Sequence, residues 1–167
     1  MKDNTISQAG GPDSAPLQHE PSAPQHILVV DDDSGIRSFS TRALVGSGYR
    51  VDTAEDGAAA WEALQIKAFN LLITDNDMPG LTGIELVKKL HSARMALPVI
   101  MATGHLPTHE FARKPWLKPD VTLQRPFSND DLLEAVKKVL RTDDTPREQI
   151  APPPNWQSQP SAVGLRP

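Results

Sequence analysis

The chain contains no cysteine, no apolar run long enough to cross a membrane and no excess of positive charge. The first absence excludes a disulfide framework, a thiol nucleophile and a cysteine-ligated metal site. The second excludes a transmembrane helix, which needs roughly 18 or more consecutive apolar residues. A net charge of −4 over 167 residues argues against sequence-independent nucleic-acid binding, which relies on Lys and Arg. The N-terminus carries Asp3 and leads into no apolar segment, so we expect no secretory signal and a cytoplasmic protein.

Proline is abundant but unevenly distributed along the chain. Four of the 16 prolines lie in residues 1–25 and six lie in 142–167. Segments of this composition bury too little apolar surface to offset the entropy of the chain, so we expect two disordered tails at 1–25 and 142–167. The remaining span, 26–141, is long enough for a single compact domain.

Within 26–141, strand-like and helix-like hydrophobic patterns alternate. Short apolar runs predict five strands, at 27–30, 49–54, 71–74, 98–102 and 121–124. Apolar stripes of helical period between the strands predict the helices, which start at four recognisable caps: Ser34, Asp56, the pair Thr82 and Glu85, and Ser128. This order predicts an α/β fold, a parallel sheet with helices on both faces.

The residues that follow these strands carry most of the chemistry. Three aspartates at 31–33 follow the first strand, and Asp75 follows the third. Thr103 and Arg125 follow the fourth and the fifth. Because ligands of open parallel sheets bind beyond the carboxyl ends of the strands, we expect these side chains to converge at one edge.

Such a group of side chains points to phosphoryl chemistry. Close carboxylates repel one another unless a cation bridges them, and carboxylate oxygens suit Mg²⁺. A carboxylate beside the cation can attack phosphorus, while a hydroxyl and a cationic side chain share the charge of the transferred group. Taken singly, each residue is equally typical of a turn, a helix cap or a solvated surface charge. The combination at equivalent strand ends indicates a site.

Several segments of the chain together carry a family pattern. They are 27–33, 71–80, Gly83, 98–103 and the pair Pro126 and Phe127. In this combination they resemble a receiver domain, the CheY-like module of two-component response regulators. The resemblance covers nearly all of 26–141 and implies a doubly wound, flavodoxin-like sheet of five parallel strands in the order 2-1-3-4-5.

The resemblance implies a role for most of the carboxylates. Asp75 matches the residue that accepts a phosphoryl group from a histidine kinase or a phosphotransfer protein. Asp32 matches a direct Mg²⁺ ligand, and Asp31 matches a residue that acts mostly through water. Asp75 itself and the backbone carbonyl of Asp77 would complete the Mg²⁺ site. Asp33 has no role in the family and is interpreted as a loop residue.

Other site positions follow the family only in part. Thr103 matches the switch hydroxyl that moves toward the phosphoryl group. Arg125 stands where the family has Lys; it keeps the positive charge but is bulkier and forked, so it holds phosphoryl oxygens, slows phosphorylation or uncouples the switch. Thr122 replaces an aromatic residue that often reports the switch. Asp77 and His105 occupy positions that influence how long the phosphate survives, and untuned loop side chains are an equally open interpretation.

The segment before the fifth strand departs furthest from the family. Three prolines, Pro107, Pro115 and Pro119, leave room for about two helical turns at 108–114. We therefore expect an irregular or shortened fourth helix and an uncommon partner on that surface. Trp116 and Trp156 are candidate exposed anchors for a partner, with incidental placement as the alternative.

The function expected from these observations is that of a stand-alone receiver. It would take a phosphoryl group on Asp75 in the presence of Mg²⁺ and signal to a protein target through protein–protein contacts, without nucleic acid, membrane or multiple turnover. One alternative is a receiver-fold scaffold that is weakly phosphorylated or not at all, because of Arg125. A less favoured alternative is a phosphatase of the haloacid dehalogenase type with Asp31 as nucleophile; Gly35 breaks that motif.

Overall fold

The computed structural model describes residues 23–141. The expected tails, 1–25 and 142–167, lie outside the described residues except for residues 23–25. The domain boundaries therefore remain a prediction.

A single parallel sheet of five strands forms the centre of the molecule. The strands run in the order β2-β1-β3-β4-β5 and are His26–Val30, Arg50–Ala54, Leu71–Thr74, Val99–Thr103 and Val121–Gln124. This confirms the predicted fold class and strand order. β4 starts one residue later than predicted, after Pro98, and its last residue is Thr103.

Within residues 23–141, five helices and one 3₁₀ turn accompany the strands, and all but the last helix lie between successive strands. They are α1 Ser34–Gly46, α2 Gly57–Ile66, α3 Gly83–Ser92, α4 Thr108–Arg113, the 3₁₀ turn Pro115–Leu117 and α5 Asn129–Arg141. The capping box of Thr82 and Glu85 is present at α3, and Asp56 accepts the N–H of Ala59 at α2. The Ser128 hydroxyl accepts the N–H of Asp131 at α5. These predicted caps are confirmed.

The predicted cap of α1 is wrong. Asp33, not Ser34, is the N-cap, and its carboxylate accepts the backbone N–H groups of Gly35 (2.7 Å) and Ile36 (3.1 Å). These two bonds hold the pKa of Asp33 below its usual range. A carboxylate at this position is also favoured by the positive end of the helix dipole. Asp33 is therefore the residue that starts α1 directly after the site loop.

Alternating side chains of each strand enter two separate cores. In β1, Ile27 and Val29 pack with the apolar faces of α1 and α5, whereas Leu28 and Val30 pack with α2, α3 and the 3₁₀ turn. All four side chains are buried, as expected for a strand covered on both faces. The two cores hold the carboxyl ends of the strands in a fixed arrangement at one edge.

The region of the fourth helix is short, as predicted. α4 has six residues and ends one residue before the predicted boundary, and among the described residues no side chain caps its N-terminus. Trp116 in the following 3₁₀ turn is buried, with its ring edge-on to His91 of α3 at 5.4 Å between centroids. The interpretation of Trp116 as an exposed partner anchor is therefore wrong, because the turn folds its indole into the core. Trp156 lies outside the described residues.

Within residues 23–141, no helix combines the length and the hydrophobicity that crossing a bilayer requires.

Candidate functional site

The backbone ladder of the sheet brings the site residues together. The N–H of Asp75 donates to the carbonyl of Val30, at 3.0 Å, so the end of β3 lies directly beside the end of β1. The N–H of Arg125 donates to the carbonyl of Thr103, also at 3.0 Å, and fixes the end of β5 beside that of β4. The predicted convergence of these strand ends is confirmed.

Three carboxylates form an acidic cluster at this edge. One carboxylate oxygen of each of Asp31, Asp32 and Asp75 lies within 4.8 Å of the others. Asp31 and Asp75 are only 3% and 4% exposed, whereas Asp32 is open to solvent. Two of the three carboxylates are thus shielded from water, and the third, that of Asp32, faces solvent.

Asp31 is the carboxylate most affected by burial. Its Oδ1 accepts the backbone N–H of Asp33 at 2.9 Å, and its Oδ2 accepts Nη2 of Arg125. Burial raises the pKa of Asp31 above its usual range, because loss of solvation outweighs these two favourable contacts, and the nearby charge of Asp75 adds to the rise. The folded structure therefore disfavours the charged form of Asp31.

Asp75 is fixed by its backbone and by its neighbours. Its Oδ1 accepts the N–H of Asn76 at 2.6 Å, and its Oδ2 accepts Nη1 of Arg125 at 3.3 Å. The carbonyl of Asp75 accepts the hydroxyl of Thr74 and lies against Gly83, where a Cβ would stand only 2.3 Å from the carbonyl oxygen. Only glycine fits this close approach between α3 and the site loop.

The side chain of Arg125 links two carboxylates of the acidic cluster. Its two Nη atoms contact the carboxylates of Asp31 and Asp75, one each, and its side chain is 21% exposed. Its Nε is buried without a hydrogen-bond partner among the described residues. The peptide bond between Arg125 and Pro126 is cis. The guanidinium thus places a planar fork of donors between two acidic residues.

The other predicted residues form a second group beside the acidic cluster. The buried hydroxyl of Thr103 donates to Oδ2 of Asp77 at 3.3 Å, and Nδ1 of His105 lies 3.4 Å from the same oxygen. The His105 side chain is 93% exposed. Thr103 therefore contacts Asp77 rather than Asp75 in this structure. Thr122 of β5 is exposed.

One residue that contacts the site was missed by the sequence analysis. Arg37 of α1 donates from Nη1 to the backbone carbonyl of Asp31 at 2.6 Å. No pattern in the sequence separates this arginine from a solvated helix residue. The contact depends on the turn between β1 and α1, whose geometry Asp33 sets by capping the helix.

The donor set fits Mg²⁺. All three side chains of the cluster offer oxygen, and the cluster has a solvent-facing member, which suits an ion that keeps part of its water shell. Asp31 and Asp75 are both buried in this cluster, and a cation would offset the repulsion between their charges. The ligand role of the Asp77 carbonyl stays a prediction.

Comparisons with known proteins agree with this geometry. Residues 27–137 match the family of the response regulator receiver domain. The chain is 33% identical over 116 residues to the response regulator receiver protein CpdR of Brucella abortus, covering 70% of this chain and 97% of CpdR. The chain spans 24% to 57% of the length of other curated relatives, among them Protein PetR of Rhodobacter capsulatus, of which it covers 50%.

Solved structures show the same architecture. The chemotaxis response regulator CheY4 of Vibrio cholerae superposes with a TM-score of 0.64 at 31% identity, covering 70% of this chain and 99% of CheY4. The response regulator TrrA of Thermotoga maritima, in complex with Mg²⁺ and BeF, superposes with a TM-score of 0.62 at 32% identity, covering 70% of this chain and 99% of TrrA. The chain therefore belongs to the family of response regulator receiver domains, the signalling modules of two-component systems.

Proposed function

We propose that this chain is a phospho-acceptor receiver in which Asp75 takes a phosphoryl group from a histidine kinase or a phosphotransfer protein in the presence of Mg²⁺. The proposal depends on one observation: Asp31, Asp32 and Asp75 converge at the carboxyl edge of the sheet, with Arg125 beside them. Receiver domains bind Mg²⁺ at an acidic pocket and interact with such phosphodonor proteins.

The acidic cluster would hold the metal. Asp32 and Asp75 are the proposed direct side-chain ligands, the Asp77 carbonyl a third, and Asp31 a ligand through water. When bound, Mg²⁺ would offset the charge that accumulates between the carboxylates and the incoming phosphoryl oxygens. The likeness to TrrA, which was solved with Mg²⁺ and BeF, supports this assignment.

Transfer to Asp75 is a displacement at phosphorus. A carboxylate oxygen of Asp75 forms the new bond to phosphorus as the bond to the donor imidazole nitrogen breaks and its electron pair stays on that nitrogen. The hydrogen bond from Asn76 N–H holds the carboxylate in place for attack. Arg125 is close enough to exchange its carboxylate contacts for phosphoryl oxygens and to stabilise their charge.

The switch would start from Thr103. Its hydroxyl bonds Asp77 in the unphosphorylated protein, and we propose that it turns to a phosphoryl oxygen once Asp75 is modified. That change would release one partner of Asp77, whose carboxylate also faces His105. Asp77 and His105 are therefore the proposed determinants of phosphate lifetime.

The output would be a protein contact. The six-residue α4 and the exposed Thr122 give the surface beside β5 a shape and chemistry that differ from the family pattern. We propose that the protein target of this chain recognises that surface.

Phosphate uptake tests the proposed function directly. The protein is incubated with Mg²⁺ and acetyl phosphate, and intact mass is measured. We expect one added phosphoryl group, lost in Asp75→Asn and kept in Asp130→Asn, a matched change at an exposed position of α5. A wild-type protein that gains no mass, and shows no amide spectral response to Mg²⁺ with beryllofluoride, would refute the proposal.

One observation favours a second candidate function. Arg125 already occupies the acidic cluster, so a receiver-fold scaffold with little phosphorylation is the alternative. The uptake experiment separates the two, because uptake that depends on Asp75 excludes the scaffold. The family match favours a signalling module over a haloacid dehalogenase-type phosphatase. That phosphatase would turn over phosphate esters repeatedly and would need Asp31 rather than Asp75.

A further inference from the structure

The two buried carboxylates of the acidic cluster already have a donor on every oxygen. Backbone N–H groups occupy Oδ1 of Asp31 and Oδ1 of Asp75, at 2.9 Å and 2.6 Å. The guanidinium of Arg125 occupies Oδ2 of both residues. The backbone donors are fixed by the turns that carry them, whereas the guanidinium is at the end of a flexible side chain. Arg125 is therefore the donor that can leave the cluster without a movement of the backbone.

A divalent cation at the cluster would meet this guanidinium at close range. The cation would bind Asp75 directly and Asp31 through water, in a pocket where both of these side chains are buried. Like charges repel strongly in such a partly buried pocket because water screens them poorly. Cation binding and the bridge of Arg125 between Asp31 and Asp75 therefore oppose each other.

An arginine at this position opposes cation binding more strongly than a lysine would. A guanidinium presents donors in a rigid planar fork, so Nη1 and Nη2 engage two different carboxylates at once. An ammonium group is a point charge on a mobile stem and shifts more easily to one side. The bridge can still be released, because Nε is buried without a partner among the described residues and the bridged state leaves that donor unsatisfied.

We propose that Arg125 is a built-in counter-ion that competes with Mg²⁺ for Asp31 and Asp75, so that metal binding requires the guanidinium to leave the bridge. This inference rests on the proposed Mg²⁺ site. It gives the receiver a metal affinity set by one side chain, and it couples loading of the site to a movement at the end of β5.

The test is a Mg²⁺ titration of the full chain by calorimetry, with no phosphodonor present. We expect Arg125→Gln to tighten Mg²⁺ binding by about tenfold or more, because it removes a positive charge that touches two carboxylates of the cluster. Arg125→Lys should fall between the two proteins. Arg113→Gln removes the same charge from an exposed position of α4 and should leave the affinity unchanged.

A second readout uses the wild-type protein, so that a poorly folded variant does not decide the matter. The side-chain Nε resonance of Arg125, assigned by its loss in Arg125→Lys, should shift as Mg²⁺ is added. Equal affinities for wild type and folded Arg125→Gln, or a resonance that stays in place at saturation, would overturn the inference while the metal site stands. Absence of Mg²⁺ binding in every protein would overturn both. Tighter Mg²⁺ binding by Arg125→Gln supports the competition even if phosphate uptake fails.

Discussion

Replacing Gly83 by alanine would place a methyl group inside the loop that carries the proposed phospho-acceptor. Gly83 is the first residue of α3, and an alanine Cβ at this position would lie 2.3 Å from the carbonyl oxygen of Asp75 and 3.0 Å from Cα of Asn76. Both neighbours are backbone, which cannot turn away as the end of a long side chain can. We expect Gly83→Ala to destabilise the domain.

The size of the effect follows from the contacts that must move. Ordinary carbon contacts lie at about 3.5–4.0 Å, so α3 and the loop must separate by roughly 1 Å. Overpacking of this kind costs about 1–3 kcal/mol. The shift also strains the bonds from Gly83 N and Ile84 N to Asn76, each contributing about 1 kcal/mol. The better helix propensity of alanine returns at most about 1 kcal/mol. The net loss is about 2–4 kcal/mol.

Urea unfolding followed by far-UV circular dichroism measures this loss. With a slope of about 1.5 kcal/mol per molar urea, typical of a small domain, the midpoint should fall by about 1.3–2.7 M. Gly46→Ala is the matched control, since a Cβ at Gly46 in α1 meets nothing within 4 Å. The control should be neutral or stabilising by up to about 1 kcal/mol. A Gly83→Ala midpoint equal to that of wild type, at an unchanged slope, would refute the steric reasoning.

Two further changes test the electrostatics of the site and the cap of α3. Asp31→Asn should raise the free energy of unfolding at pH 7 by an amount on the order of 1 kcal/mol, because burial raises the pKa of Asp31 and its charge therefore destabilises the folded state. The stability gained by Asp31→Asn over wild type should shrink as the pH falls through the pKa of Asp31. A difference between the urea midpoints of the two proteins that stays constant from pH 7 to pH 4 would contradict this expectation. Thr82→Ala removes the hydroxyl that accepts Glu85 N–H and should lower stability by about 1 kcal/mol, whereas Thr108→Ala at the uncapped α4 should change it by less than about 0.5 kcal/mol. Equal urea midpoints for the two threonine variants would refute the capping argument.

Much of the fold could be predicted because its signals are local. Apolar runs of strand length and stripes of helical period lie within a few residues of one another, and the bounds of β3 and β5 were predicted correctly. The capping box of Thr82 and Glu85 spans only three residues, so it too was visible. The cap of α1 was not, because Asp33 and Ser34 are adjacent and both residue types favour that position.

The burial of Trp116 is a feature that the local sequence pattern does not predict. The short segment around it contains two prolines and two lysines, which suggest an exposed segment. The indole is buried because the 3₁₀ turn folds back onto α3, where His91 packs against it. That contact joins residues far apart in the sequence, so no periodicity within the segment could reveal it.

The order of residues along the chain was enough to predict the parallel α/β fold, the position of the acidic residues after β1 and β3, and the family to which the chain belongs. It did not predict that Arg125 bridges Asp31 and Asp75, which stand 94 and 50 residues away. The sequence places these residues at strand ends. Which carboxylates a long side chain contacts depends on strand order, on the turn after β5 and on the choice of rotamer. Strand order, turn and rotamer are set by packing across the whole sheet, and together they determine which carboxylates Arg125 neutralises.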